Sequence, residues 1–307
     1  MSLRCAAWAR DAEVDPAGTA PTCELFVLVE HPLPWPHDIG DDPHLAALEQ
    51  VAARAAGGRK VRLQALVCEP EAATRRVIVF AAGPPPFRGY GRLEGSGAPD
   101  ELADVVESLV SAEPPAPVAG VTDVLVCTHG SRDSCCGSLG TRLWRDAGEC
   151  DAAECDPVVD LDDVRVWRTS HTGGHRFAPT AVTFPDGNYW AHLDPTLLAG
   201  VVERTASAEE AAAHLRGCAA FTPAVQVADR AGFAQQGWDW LEGGRFGDER
   251  SPLRVELCFE SPDGTRGTYD VRLAEGRRMP IPDCGGDPEA AKKSQTELRV
   301  VGLQRWT

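Results

Sequence analysis

The stretch that decides the fold is Val124-Leu-Val-Cys127-Thr-His129-Gly-Ser-Arg-Asp-Ser-Cys-Cys136-Gly137. An apolar run over residues 121–126 predicts a buried strand that ends at Cys127. A polar loop follows, and residues 139–147 then predict a helix. Loops at strand ends commonly carry chemistry, because the strands hold them in place. The sequence therefore predicts a functional site where this strand ends.

A second polar loop follows the next predicted strand, residues 164–167. It contains Ser170-His171-Thr-Gly-Gly-His175, with two imidazoles four residues apart. A glycine pair is unfavourable inside a helix, so the pattern indicates a loop. Glycine also lets the backbone approach a bound group closely. Taken alone, the motif is also compatible with a glycine-rich turn that carries two solvated histidines.

Two cysteines and two histidines on two strand-end loops are typical of a zinc site or an iron–sulfur site. Cys127 and Cys136 are separated by eight residues, whereas structural zinc usually has cysteines about two to four residues apart. The wide spacing favours a larger cluster. Side chains of adjacent residues usually point apart, so only one of Cys135 and Cys136 is expected to be a ligand. Cys136 precedes a helix start, where a thiolate is favoured. Buried structural cysteines remain the alternative.

Three further polar residues lie inside the cysteine loop, namely His129, Arg132 and Asp133. They are candidates for groups that hydrogen-bond the ligands and orient the loop. The alternative is an Arg132–Asp133 surface pair that stiffens a turn and contributes little energy.

Composition restricts the class of protein. The chain has 307 residues, a net charge of −16, 43% apolar residues and 11 cysteines. The negative charge argues against nucleic acid and anionic membranes as partners, and is compatible with a protein partner that has a basic patch. The N-terminus lacks the apolar run of a secretory signal, and no window reaches the roughly 18 apolar residues of a membrane helix. These features predict a cytoplasmic protein without a disulfide framework.

The order of predicted elements indicates an α/β fold. Residues 121–202 show strand, helix, strand, hairpin and helix, the order of a thioredoxin-like unit. Residues 24–112 show a similar order, with a loop over 83–97, which predicts a related α/β half. The predicted parts are a loose N-terminal arm (1–20), an N-terminal α/β half (21–118), a thioredoxin-like cluster-binding domain (119–206) and a small α+β C-terminal appendage (207–307). No site is predicted in the appendage.

Several blocks together resemble the sucrase/ferredoxin-like family, the thioredoxin-like ferredoxins of the Cys/His type. They are Leu-Val-Glu30-His-Pro-Leu-Pro-Trp35, the Cys127-x8-Cys136-Gly loop, Ser170-His171-Thr-Gly-Gly-His175-Arg-Phe-Ala and Phe184-Pro-Asp-Gly187. The resemblance covers about residues 20–205. One departure is Trp190-Ala-His192, where the family tends to have Tyr-Gly-Arg.

The resemblance implies a thioredoxin-like ferredoxin unit with a 2Fe–2S cluster, held by Cys127 and Cys136 on one iron and by His171 and His175 on the other. The implied function is electron transfer with a donor or acceptor protein that the sequence does not name, and no substrate is assigned. One alternative is a structural or interaction module with zinc in the same four ligands. Another is a thiol oxidoreductase that uses Cys135 with Cys136, or Cys127, although no Cys-x-x-Cys motif follows the 121–126 strand.

Overall fold

A computed structural model describes residues 4–147 and 164–306 of the protein. Within those residues, nine strands form one mixed sheet in the spatial order 4-3-1-2-6-5-7-8-9. They are β1 (Leu25–Glu30), β2 (Val61–Leu66), β3 (Arg75–Ala82), β4 (Tyr90–Gly97), β5 (Asp123–Cys127), β6 (Arg165–Thr169), β7 (Ala181–Phe184), β8 (Asn188–Trp190) and β9 (Leu215–Cys218). A second sheet is antiparallel and contains β10 (Gly244–Ser251), β11 (Arg254–Glu260), β12 (Arg266–Pro280) and β13 (Ser294–Trp306).

Helices cover both sheets. They are α1 (Cys5–Asp11), α2 (Pro43–Ala55), α3 (Leu102–Ser111), α4 (Thr141–Asp146), α5 (Pro195–Val202), α6 (Ala208–His214), α7 (Pro223–Gln236) and α8 (Asp239–Glu242). A π-helical turn, Cys136–Gly140, leads directly into α4. None of the helices in the described part of the chain is long and apolar enough to cross a membrane.

The nine-stranded sheet contains the same unit twice. In the first half, β1 pairs in parallel with β2 and antiparallel with β3, and β3 pairs antiparallel with β4. In the second half, β5 pairs in parallel with β6 and antiparallel with β7, and β7 pairs antiparallel with β8. The two halves meet where Leu66 of β2 pairs antiparallel with Thr169 of β6. The predicted fold class, a thioredoxin-like unit preceded by a related half and followed by an α+β appendage, is confirmed.

The parallel pairing of β5 with β6 positions the candidate site. Cys127, the last residue of β5, is directly opposite Thr169, the last residue of β6. The loops that follow these two strands therefore leave the sheet side by side at one edge.

The prediction of a loose N-terminal arm is wrong for the described residues. Residues Cys5–Asp11 form α1, in which Cys5, Ala6 and Ala9 are at most 1% exposed. Their small side chains allow the helix to pack closely, and Ala9 belongs to an apolar cluster with Val14 and Phe177. The polar composition of the arm concealed this buried face.

One prediction about a loop also needs correction. The predicted loop over 83–97 contains β4, because Tyr90–Gly97 pairs along its whole length with β3. In addition, β9 follows the predicted boundary at residue 206 and nevertheless belongs to the nine-stranded sheet.

Candidate metal centre

The two strand-end loops bring together three of the four predicted ligands. The Sγ atoms of Cys127 and Cys136 and one ring nitrogen of His171 lie within 4.8 Å of one another. Cys127 and Cys136 are each 1% exposed, and His171 is half-buried. The distance from Cys127 Sγ to His171 Nδ1 is 3.9 Å. These donors form a compact, largely buried group of soft ligands.

Glycines allow the segment that carries Cys136 to lie against the end of β5. A Cβ atom at Gly140 would be 1.9 Å from the carbonyl oxygen of Cys127. A Cβ atom at Gly137 would be 2.4 Å from the Cα atom of Gly130. Real Cβ atoms do not approach other atoms so closely, so only glycine fits at these positions. This close contact places Cys136 next to Cys127.

The two thiols differ in their preference for ionisation. A hydrogen bond with Cys136 holds the pKa of Cys127 well below its usual value despite complete burial, and His171 contributes in the same direction. The same interaction with Cys127, together with burial, raises the pKa of Cys136 well above its usual value. Cys127 is therefore the preferred thiolate of the pair, and the thiolate is the form that ligates metals.

His175, the fourth predicted ligand, is oriented by Asp133. Its Nδ1 atom donates a hydrogen bond of 2.8 Å to Asp133 Oδ2, which leaves Nε2 available as a ligand atom. Burial raises the pKa of Asp133, but hydrogen bonds from His175 and from the Cys136 amide outweigh burial and lower it. The ring centroids of His175 and His171 are 6.2 Å apart. His175 therefore lies beside the group of three donors.

His129 holds the backbone of His171. Its Nδ1 atom accepts a hydrogen bond of 3.1 Å from the His171 amide, so Nε2 carries the proton and donates to the carbonyl oxygen of Pro36 at 2.8 Å. Burial lowers the pKa of His129, which favours this neutral form. The indole of Trp35 packs against the His129 ring at 5.5 Å. The loop after β1, in the first half, thus supports the site in the second half.

Arg132 and Asp133 do not form the surface pair that the sequence left open. Arg132 Nη1 lies 3.3 Å from the exposed carboxylate of Asp38. Asp133 is 6% exposed, and its Oδ1 atom accepts hydrogen bonds from the amides of Cys135 and Cys136 at 2.8 and 3.2 Å. Asp133 is therefore a buried helix cap at the site, whereas Arg132 fixes the loop at the surface.

A second group of donor atoms lies next to the first and was missed by sequence reasoning. It contains Cys5, Asp133, Cys135 and Cys284, whose donor atoms also lie within 4.8 Å of one another. Cys5 and Cys284 are 279 residues apart, so no spacing pattern could connect them. Cys135 and Cys136 point into different groups, as expected for adjacent side chains.

The donor set of the first group fits a soft metal or an iron–sulfur cluster. It offers two buried cysteine sulfurs, one of them favoured as thiolate, and the His171 imidazole. The His175 imidazole, oriented by Asp133, lies beside it. Thiolate and imidazole are the ligands that zinc and mixed-ligand 2Fe–2S centres use. The structure thus supports a metal-binding centre of thiolate and imidazole ligands.

Comparisons with known proteins agree with the fold and the motifs. Residues 16–217 match the profile of the sucrase/ferredoxin-like family, and the chain belongs to this family. It is also 33% identical over 94 residues to "Altered inheritance of mitochondria protein 32" of Meyerozyma guilliermondii. That match covers 28% of this chain and 30% of the yeast protein, less than a third of its length. No solved structure gives a significant match.

Proposed function

We propose that the protein transfers electrons through a 2Fe–2S cluster held by Cys127, Cys136, His171 and His175. The observation that carries this proposal is the packing of Cys127, Cys136 and His171 within 4.8 Å in a member of the sucrase/ferredoxin-like family. When bound, such a cluster supplies a one-electron couple, and mixed Cys/His centres of the Rieske kind have potentials of about −150 to +300 mV.

Residues of this chain supply the ligands of the proposed site and orient them. Cys127 and Cys136 supply the sulfur ligands from the end of β5 and the following π-helical turn. Asp133 orients His175 through Nδ1, and His129 fixes the backbone of His171. Such outer contacts set the tautomer and direction of a ligand histidine. We therefore assign Asp133 and His129 as positioning residues.

The route to a redox partner is proposed to pass through His171. This residue lines an open cleft of about 390 Å³ together with Arg62 and Arg132. Arg62 Nη2 also donates a hydrogen bond of 2.7 Å to the carbonyl oxygen of His171. The two cysteine ligands are buried, so the imidazole edge is the part of the site nearest to a docked protein.

The alternative of a thiol oxidoreductase is disfavoured by access. Cys127 has the lowered pKa that a nucleophile requires, but its side chain is 1% exposed. A disulfide substrate would have to reach this sulfur in line with the bond it breaks. Cys136 Sγ and a ring nitrogen of His171 lie within 4.8 Å of it, which adds to the crowding around this buried sulfur.

The test is absorption and EPR spectroscopy of protein purified without oxygen. We compare wild type with Cys136→Ala and His171→Ala, and with matched controls Cys68→Ser and His44→Gln at positions outside the group. Wild type and both controls are expected to be coloured and to give a rhombic EPR signal after reduction. Cys136→Ala should lose the signal and His171→Ala should change or lose it. A colourless wild type with about one zinc per chain, lost in both site variants, would overturn the proposal in favour of a structural zinc module.

A further inference from the structure

Three cysteine sulfurs meet beside the proposed cluster site. Cys284 Sγ lies 2.9 Å from Cys135 Sγ and 3.1 Å from Cys5 Sγ, and Cys5 Sγ lies 3.7 Å from Cys135 Sγ. The carboxylate of Asp133 borders the same group. Its Oδ1 is 3.4 Å from Cys284 Sγ, and its Oδ2 is 3.8 Å from Cys5 Sγ. Four potential donors thus surround one small volume.

These donors come from separate parts of the chain. Cys5 opens α1, Cys135 and Asp133 lie in the loop after β5, and Cys284 lies between β12 and β13. Cys5 and Cys135 are at most 1% exposed, and Cys284 is half-buried. Both Cys5 and Cys284 lie outside residues 16–217, which match the family. The group is therefore completed by segments outside the range that matches the family.

We propose that Cys5, Cys135, Cys284 and Asp133 bind one Zn²⁺ ion. Zinc takes four ligands in a tetrahedron, with Zn–S near 2.3 Å, which places the sulfurs about 3.8 Å apart. The observed sulfur–sulfur distances of 2.9 to 3.7 Å need an expansion of less than about 1 Å. Zn²⁺ displaces the thiol protons to solvent, and no electron transfer is involved.

A disulfide accounts for this group less well. A disulfide joins two sulfurs at about 2.05 Å and would leave the third thiol packed against it. It also does not account for the approach of the Asp133 carboxylate to both Cys5 and Cys284. A cation between the sulfurs and Asp133 explains the positions of the third thiol and of the carboxylate, because all of these groups would then coordinate the same positive ion.

The zinc site would fasten α1 and the connection between β12 and β13 to the loop that carries Cys136. Cys135 and Cys136 then serve neighbouring sites, and Asp133 contacts both, through Cys284 on one side and His175 on the other. The zinc proposal itself does not depend on the identity of the metal at Cys127 and Cys136.

The test is metal analysis of the full-length chain, with iron and zinc measured in the same sample. Cys5→Ser and Cys284→Ser are expected to lose the zinc and keep the iron, whereas Cys127→Ser should lose the iron and keep about one zinc per chain. Cys258→Ser, a half-buried cysteine in β11, is the matched control and should keep both.

Each result separates the two proposals. Zinc that is lost with Cys127→Ser and kept with Cys284→Ser would overturn the second site and assign zinc to the first. Zinc-free wild type in which mass spectrometry finds a Cys5–Cys284 or Cys135–Cys284 disulfide would also overturn it.

A second measurement leaves all four residues of the second group unchanged. Co²⁺ is added to the zinc-depleted Cys127→Ser/His171→Ala chain, in which the second group is intact. Intense visible bands and a sulfur-to-cobalt charge-transfer band, as tetrahedral thiolate coordination gives, are expected at one cobalt per chain. Their absence would contradict the proposal.

Discussion

At the scale of single residues, Asp133 links the helix cap at Cys135 and Cys136 to the orientation of His175. Its Oδ1 atom caps the segment that carries Cys135 and Cys136, and its Oδ2 atom orients His175. A carboxylate that holds a ligand histidine typically affects metal affinity 10- to 100-fold. Replacing Asp133 by asparagine separates these two roles. The side-chain carbonyl oxygen of asparagine can still accept the cap hydrogen bonds, but the negative charge that faces His175 is lost.

We expect Asp133→Asn to fold and to hold iron about 10- to 100-fold more weakly. The measurement is iron retained during a chelator titration of anaerobic protein. Asp194→Asn is the control, since Asp194 caps α5 through the Leu197 amide and should leave iron retention unchanged. Equal retention in Asp133→Asn and wild type would show that His175 does not need this contact.

His192 predicts a pH dependence of stability. Burial lowers its pKa to about 4, and Arg10, His214 and Arg216 act in the same direction. Its folded pKa is therefore below the unfolded value of about 6.5. As pH falls from 6.5, His192 becomes protonated in the unfolded chain but stays neutral in the folded chain. The free energy of unfolding therefore decreases until about pH 4. The total loss from this residue is about 3 kcal/mol.

His192→Asn is expected to remove this contribution, because asparagine does not titrate and tolerates the φ of 52° at this position. The measurement is urea unfolding at several pH values between 4 and 7, with the exposed His37→Asn as control. A pH slope that is the same in His192→Asn and wild type would contradict the assignment.

At the scale of elements, the contact between the π-helical turn and β5 decides the geometry of the site. We expect Gly140→Ala to destabilise the fold by about 1–3 kcal/mol or more, because its Cβ would overlap the Cys127 carbonyl oxygen. It should also lower the iron content, because Cys136 is the first residue of this turn and would be displaced with it. Thermal unfolding and iron analysis check this, with the exposed Ser138→Ala in the same turn as control. Normal stability together with full iron content in Gly140→Ala would refute the close-contact explanation.

The elements also show what the sequence can and cannot predict. The parallel strands and their polar ends were recognisable, because an apolar run followed by Cys or His residues is a local pattern. The contribution of α1 was not recognisable, since Cys5 and Ala9 bury a narrow face within a polar segment. Cys284 gave no signal either, because its partners lie 149 and 279 residues away. The strand β4 was concealed by glycines that a paired strand tolerates.

At the scale of the whole molecule, a buried ion pair inside the appendage lies where the appendage contacts the first half. Arg245 of β10 donates to both oxygens of Asp229 in α7 at 3.0 and 2.8 Å, and both side chains are fully buried. The backbone of Arg245 also exchanges two hydrogen bonds with Phe87, in the first half. These two backbone hydrogen bonds attach the appendage to the first half between buried residues, and the ion pair holds Arg245 in place beside them.

Arg245→Met is expected to cost about 3–5 kcal/mol of unfolding free energy, because it leaves the Asp229 carboxylate buried without its cation. Replacing both residues, as Asp229→Leu/Arg245→Met, should recover much of that loss. Chemical denaturation of the two variants and wild type gives the comparison. A double variant no more stable than Arg245→Met would show that the loss comes from packing and not from the unpaired charge.

The central claim is that Cys127, Cys136, His171 and His175 together hold a 2Fe–2S cluster. The most direct measurement is iron and acid-labile sulfide per chain in anaerobically purified wild type, combined with pulsed EPR of the reduced protein. We predict about two iron and two sulfide per chain, with nitrogen couplings from coordinated imidazole. Protein without sulfide, or a cluster whose EPR signal lacks coordinated nitrogen, would contradict this account.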